Sequence, residues 1–179
     1  PLADISARVC RDKGGELKNG EIGILEIKGP NVFRGYWKLP QKTREEFRED
    51  GFFITGDLAV QDERGYISIV GRGRDLVISG GLNVYPKEIE ERLDQADGVV
   101  ESAVFGLPHD DLGEAVTAVV VWNADRECDE RALLAELRRH LAGFKLPKRI
   151  LPVQELPRNS MGKVQKNILR GQNKDLYRN

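Results

Sequence analysis

The sequence predicts an α+β fold in two parts, a β-rich first part and a mixed second part. Three observations carry this. Residues 21–80 read as short apolar segments broken by turns. From residue 86 onward, helix-like and strand-like stretches are interspersed without regular βαβ spacing. Between them the stretch GRGRDLVISGG, residues 71–81, places two glycines at each end of a charged centre, as a hinge between domains would require.

The elements follow in order. IGILEIKG (22–29), GFFITGDLAV (51–60), GYISIVG (65–71) and DLVISG (75–80) alternate apolar and polar residues and are predicted strands. AVQDERGYISIV forms a hairpin whose turn ends in Gly65. A short helix covers QKTREEF, with Thr43 placed to cap a turn. PKEIEERLDQ (86–95) is a helix with Pro86 at its first position and Ile89 and Leu93 on one narrow stripe. Two strands, 99–107 and 114–122, are joined by PHDDLG. A helix over 129–141 aligns Leu133, Leu134, Leu137 and Leu141 on one side. A short strand at 149–156 and a helix at 164–174 complete the chain.

The composition excludes several classes. At 40% hydrophobic and 32% charged, with 28 Lys and Arg against 29 Asp and Glu, the chain is neither disordered nor fibrous, and its net charge names no partner. Charge is nevertheless uneven. Arg138, Arg139, Lys145, Lys148, Arg149, Arg158, Lys163, Lys166 and Arg170 face a single acid, Glu155, over residues 138–170. That run suits an anionic ligand, a solvated basic face or a nucleic-acid surface. Phe144 is its lone aromatic, which argues against base stacking. Cys10 and Cys128 are far apart, with no CxxC and no histidine at ligand spacing, so neither a metal site nor a disulfide framework is indicated and a reducing cytoplasm is expected. No apolar window reaches membrane-spanning length, and the N-terminus lacks a signal pattern. His109 and His140 have no partner at a useful spacing, and no GxSxG elbow is present.

Four stretches are candidate sites, each with an ordinary alternative. Asp57 follows a glycine at a strand end, where a carboxylate holds a vicinal diol or simply closes a turn. GRGRD lacks both the GxGxxG and P-loop patterns and reads as a linker, although Arg72 offers a planar fork to a nucleotide. Gly80 and Gly81 allow close approach of backbone to a ligand, or a tight β-turn. Lys163 lies behind Met161-Gly162 in a loop with Arg158, Lys166 and Arg170 near in sequence. It either meets an oxyanion or faces solvent.

GEIGILEIKGPNVFRGYW, GFFITGDLA, GRGRDLVISGGLNVYPKEIE and LPRNSMGK occur in this order. Together the set resembles the C-terminal part of the acyl-adenylate-forming enzymes, which include acyl-CoA synthetases, peptide-synthetase adenylation domains and beetle luciferases. GPNVFRGYW, GGLNVYPKEIE and PRNSMGKVQKN are most similar to malonyl-CoA synthetases. The resemblance implies an acid–thiol ligase that uses ATP, CoA and Mg2+, with the Mg2+ ligands outside this segment. It implies that Lys163 is the adenylation lysine, that Asp57 and Arg72 bind the nucleotide ribose, and that Arg74 is the hinge, where aspartate or lysine is usual. Gly80 and Gly81 would line the pantetheine path, and Phe144 and Lys148 would contact the CoA nucleotide, although Leu146 stands where some members carry arginine.

On this resemblance residues 1–73 are the small β-rich end of a large N-terminal adenylation domain, and residues 74–179 are its mobile α+β C-terminal domain. The segment is then a fragment, lacking full activity alone. Its partners are a small carboxylic acid (malonate foremost, a medium- or long-chain fatty acid as the alternative), ATP, CoA, the missing N-terminal domain and a protein lysine acetyltransferase acting on Lys163. No nucleic acid and no membrane span are expected. The reading from a different class is a stand-alone module that binds nucleic acid or an acidic partner through the basic run.

Overall fold

The computed structural model describes residues 3–123 and 128–178. The chain divides into two compact units, Pro1–Arg74 and Asp75–Asn179.

In the first unit, β1 (Ser6–Cys10), β2 (Ile22–Lys28), β3 (Phe53–Gln61) and β4 (Ile67–Arg72) form an antiparallel sheet in chain order, with α1 (Pro40–Glu46) between β2 and β3. β1 was not expected from the sequence. Only Val9 and Cys10 of its five residues are buried, and Ser6 and Arg8 dilute the apolar signal. Its place depends on β2, with which it pairs from Ser6–Lys28 to Cys10–Ile24. Glu26 on β2 is fully buried. Arg8 Nη2 and Arg48 Nε each lie 2.7 Å from its carboxylate, and Asp50 ties the far side of Arg8. A buried carboxylate is tolerated only with such pairing. Phe33, Tyr36, Phe47 and Phe53 pack edge-on beside this sheet. Thr43 lies inside α1, where its hydroxyl accepts from Tyr36 N and donates to Leu39 O, so it fastens the incoming turn.

The second unit contains β5 (Val77–Ser79), β6 (Leu82–Val84), α2 (Pro86–Leu93), β7 (Val99–His109), β8 (Gly113–Trp122), α3 (Glu130–Arg138), β9 (Arg149–Val153) and α4 (Lys166–Asn173). The sheet order is β6-β5-β8-β7, and β9 lies parallel to β8. β7 and β8 form one long hairpin, buried on both faces, which is why their sequences read as nearly continuous apolar runs. Val104, Val116, Ala118 and Val120 pack with Ile89 and Leu93 of α2 and Leu133 and Leu137 of α3. Ala103, Phe105 and Val119 point the other way, towards Leu169 of α4. Alternation along β7 and β8 thus places α4 on the face opposite α2 and α3.

Several boundaries differ from the sequence expectation. The strands run through Pro108 and His109, so only residues 110–112 turn between β7 and β8. α3 stops at Arg138, and Leu141 reaches the core from beyond its end. α4 starts at Lys166, because Val164 bridges back to Arg158 instead of beginning the helix. No helix among the described residues is long and apolar enough to cross a membrane.

Candidate active site

The β3–β4 hairpin places Asp57 opposite Arg72 in the last register of the ladder. Arg72 Nε lies 2.8 Å from Asp57 Oδ1, and Arg72 Nη1 donates to Thr55 O at 3.2 Å. Thr55 fixes the base of the pair. Its hydroxyl donates to Leu25 O on β2 and accepts from Asp57 N. The Asp57 carboxylate is mostly shielded, whereas Arg72 is half exposed. Among the described residues nothing occupies Asp57 Oδ2. An acceptor oxygen and a guanidinium fork therefore stand side by side, the complement of a vicinal diol.

Arg74 lies exposed in the 3-10 turn Gly73–Asp75 and is the last residue of the first unit along the chain. The next residue is anchored, since Asp75 Oδ1 accepts from Arg170 Nη2 at 3.2 Å.

Gly80 and Gly81 make the two-residue turn between β5 and β6, with φ of +57° and +78°. Two consecutive left-handed residues are what a tight hairpin of this twist requires. Space is not the constraint, because a Cβ on Gly81 would meet nothing within 4 Å. The 3-10 turn Gly143–Lys145 packs beside β6, so Phe144 is brought to the side of this hairpin, half exposed. Lys145 turns away to Glu88, 2.7 Å distant. Lys148 precedes β9, its amide donating to Val116 O and its side chain exposed.

Lys163 lies in a small closed turn. Asn159 N donates to Lys163 O, Gly162 N donates to Asn159 O, and Asn159 Oδ1 accepts from both Met161 N and Lys163 N. Gly162 sits at φ +77°. Glycine here supplies a left-handed corner to a pinned turn and does not loosen the loop. The neighbouring cations are all neutralised. Arg158 pairs with Glu101, Lys166 with Glu90 at 2.7 Å and Arg170 with Asp75. Glu90 also accepts from Val104 N on the free edge of β7. The Lys163 side chain is exposed and, among the described residues, its ammonium has no ion-pair partner.

The basic run changes meaning accordingly. Arg139, Lys145, Arg149, Arg158, Lys166 and Arg170 each face a carboxylate, which leaves Arg138, Lys148 and Lys163 unpaired among the described residues. A polyanion would meet a mostly neutralised surface. Sequence reasoning missed the acids Asp75, Glu88, Glu90, Glu101 and Glu130, because each lies far along the chain from its partner. It also missed Asn159, for which the signal was an asparagine, a common turn former, beside Ser-Met-Gly. Cys10 and Cys128 are both free thiols, and no cluster of three His, Cys, Asp or Glu suited to a metal occurs among the described residues.

Residues 88–163 match the AMP-binding enzyme C-terminal domain. The chain resembles the acyl-adenylate-forming superfamily, and its relatives here are acyl-CoA ligases. Within it, the chain is 59% identical to the ATP-bound MatB of Rhodopseudomonas palustris, with a TM-score of 0.93 over 99% of this chain and 35% of that one. It is 31% identical, with a TM-score of 0.90, to the o-succinylbenzoate CoA synthetase of Bacillus subtilis bound to its acyl-adenylate, covering 95% and 34% of the two chains. A long-chain-fatty-acid–CoA ligase of Salmonella typhimurium is 42% identical over 170 residues, 95% of this chain and 30% of that protein. The chain thus spans about a third of the length of these relatives.

Proposed function

We propose that this chain is the nucleotide- and thiol-handling part of an ATP-dependent acid–CoA ligase whose acid is malonate. The carrying observation is Lys163, whose ammonium stands on a pinned turn with no ion-pair partner among the described residues, while its neighbours Arg158, Lys166 and Arg170 are each committed to a carboxylate.

In the first half-reaction a carboxylate oxygen of the acid bonds to the α-phosphorus of ATP and pyrophosphate leaves. Negative charge crowds between carboxylate and phosphate. The Lys163 ammonium, as a compact point charge, meets oxygens of both. Asp57 and Arg72 hold the ribose hydroxyls. Arg74 is the pivot about which the domain from about residue 74 exchanges Lys163 for the Gly80-Gly81 hairpin. In the second half-reaction the CoA sulfur bonds the acyl carbon and AMP leaves, with Phe144 and Lys148 against the CoA nucleotide. Mg2+ supplies charge neutralisation at the phosphates in this family's chemistry.

Malonate is supported by the 59% identity to MatB, a malonyl-CoA synthetase. The fatty-acid reading rests on the weaker 42% match. A substrate panel on the whole protein decides between them, with malonate expected to give the highest kcat/KM. For the lysine, Lys163→Ala in the whole protein is expected to slow acyl-adenylate formation by roughly 10²–10³-fold, the scale for losing one preorganised charge contact. Thioester formation from supplied acyl-adenylate should persist. An unchanged adenylation rate would remove the assignment.

A further inference from the structure

The hairpin that carries Gly80 and Gly81 buries Val77 and Val84 in the core of its unit, but its backbone is bonded to the neighbouring strand at few points. β5 is three residues long and pairs with β6 along its whole length, but with β8 only at Ser79 opposite Gly113. Gly80 N adds one bond, to Leu112 O at 2.9 Å. The amide of Ile78 is not taken by the β8 backbone. It donates instead to Glu114 Oε2 at 2.8 Å, so a β8 side chain fills the gap in the ladder. A charged acceptor makes a stronger bond than the carbonyl it replaces.

The facing strand leaves room for that carboxylate. A Cβ built on Gly106 of β7 would lie 2.7 Å from Glu114 Oε1 and 3.0 Å from Val77 Cγ1. Gly106 therefore admits both the Glu114 carboxylate and the β5 side chain beneath it. Ile78, Glu114 and Gly106 form one connected seat for the hairpin, on three strands.

We infer that Glu114 is a positioning residue for thioester formation, acting through the β5–β6 hairpin. This rests on the reading of Gly80 and Gly81 as the lining of the thiol path. In that step the CoA sulfur bonds the acyl carbonyl carbon. The bond from that carbon to the phosphate oxygen breaks, AMP leaves with the electron pair, and the thiol proton passes to water. A hairpin displaced by about 1 Å misdirects the sulfur, a fault that costs roughly 10²-fold.

The test measures both half-reactions in the whole protein: pyrophosphate release from acid and ATP, and thioester formation from supplied acyl-adenylate across CoA concentrations. Glu114→Ala is expected to lower the thioester rate by roughly 10–10²-fold while pyrophosphate release stays within about twofold. Glu114→Gln, which keeps an oxygen acceptor, is expected to recover most of that loss. Gly106→Ala crowds the same carboxylate and is expected to show the same selective defect. Equal loss in both half-reactions, or none in either, overturns the inference. Gly81→Val reports on the hairpin itself. If it blocks thioester formation while Glu114→Ala does not, the positioning role alone fails. If neither variant affects that step, the assignment of the hairpin fails with it.

Discussion

Arg72 Nε and Asp57 Oδ1 meet at 2.8 Å as the closing cross-strand pair of β3 and β4, with Thr55 beneath them both. The pair is partly exposed, so its own contribution to stability is small, about 0.2–1 kcal/mol. Its geometry is better explained by what it presents outward.

Asp57→Ala and Arg72→Ala should each raise the KM for ATP. A hydrogen bond to a charged group contributes about 1.5–3 kcal/mol, which corresponds to roughly 10–10²-fold in affinity. Since the two side chains contact each other, the double variant should lose less than the sum of the singles. Steady-state kinetics at saturating acid and CoA checks this, and full additivity would show that the pair does not act as a unit.

Asn159→Ala removes the acceptor that holds both Met161 N and Lys163 N. The turn is exposed, so the unfolding midpoint should move little. Adenylation should fall by about tenfold because Lys163 is presented less consistently. Denaturant titration beside pyrophosphate release separates the two effects. Gly162→Ala, at φ +77°, should add about 1–2 kcal/mol of backbone strain at the same corner.

Glu90 serves two partners, Lys166 at 2.7 Å and the Val104 amide on the edge of β7. Glu90→Ala should therefore destabilise the second unit more than Lys166→Ala does. It leaves an edge donor unpaired, a loss of about 1–3 kcal/mol. Urea unfolding of both variants orders the two losses.

Glu26 sets an acid limit for the first unit. Burial works against its charge, but hydrogen bonds from Arg48 and Arg8 outweigh this and hold its carboxyl below the ordinary value of 4.5. A carboxyl depressed in the folded state contributes stability that is complete above its ordinary value. That stability is lost as pH falls through the folded one. Glu26→Gln should cost about 3–5 kcal/mol at neutral pH, since two guanidinium groups lose a buried partner. It should also flatten the decline of stability in acid, which unfolding midpoints collected down the pH scale will reveal.

The sequence by itself determined the strands of the first unit from β2 onward, the Pro86 start of α2 and the order of the candidate residues, whereas at Gly80-Gly81 it left a ligand-approach site and a tight turn open until β6 was seen to pair with β5. All of these signals lie within a few neighbours along the chain: alternation, a proline at a helix start, glycines at a turn. It left β1 unseen, because five residues with an arginine at the centre become a strand only beside β2. It also left nine basic residues alike. Which of them are paired was decided by the tertiary structure, since Arg158 finds Glu101 57 residues away and Arg170 finds Asp75 95 residues away. Charge neutralisation acts through distances of a few ångströms, and only folding brings such partners that close.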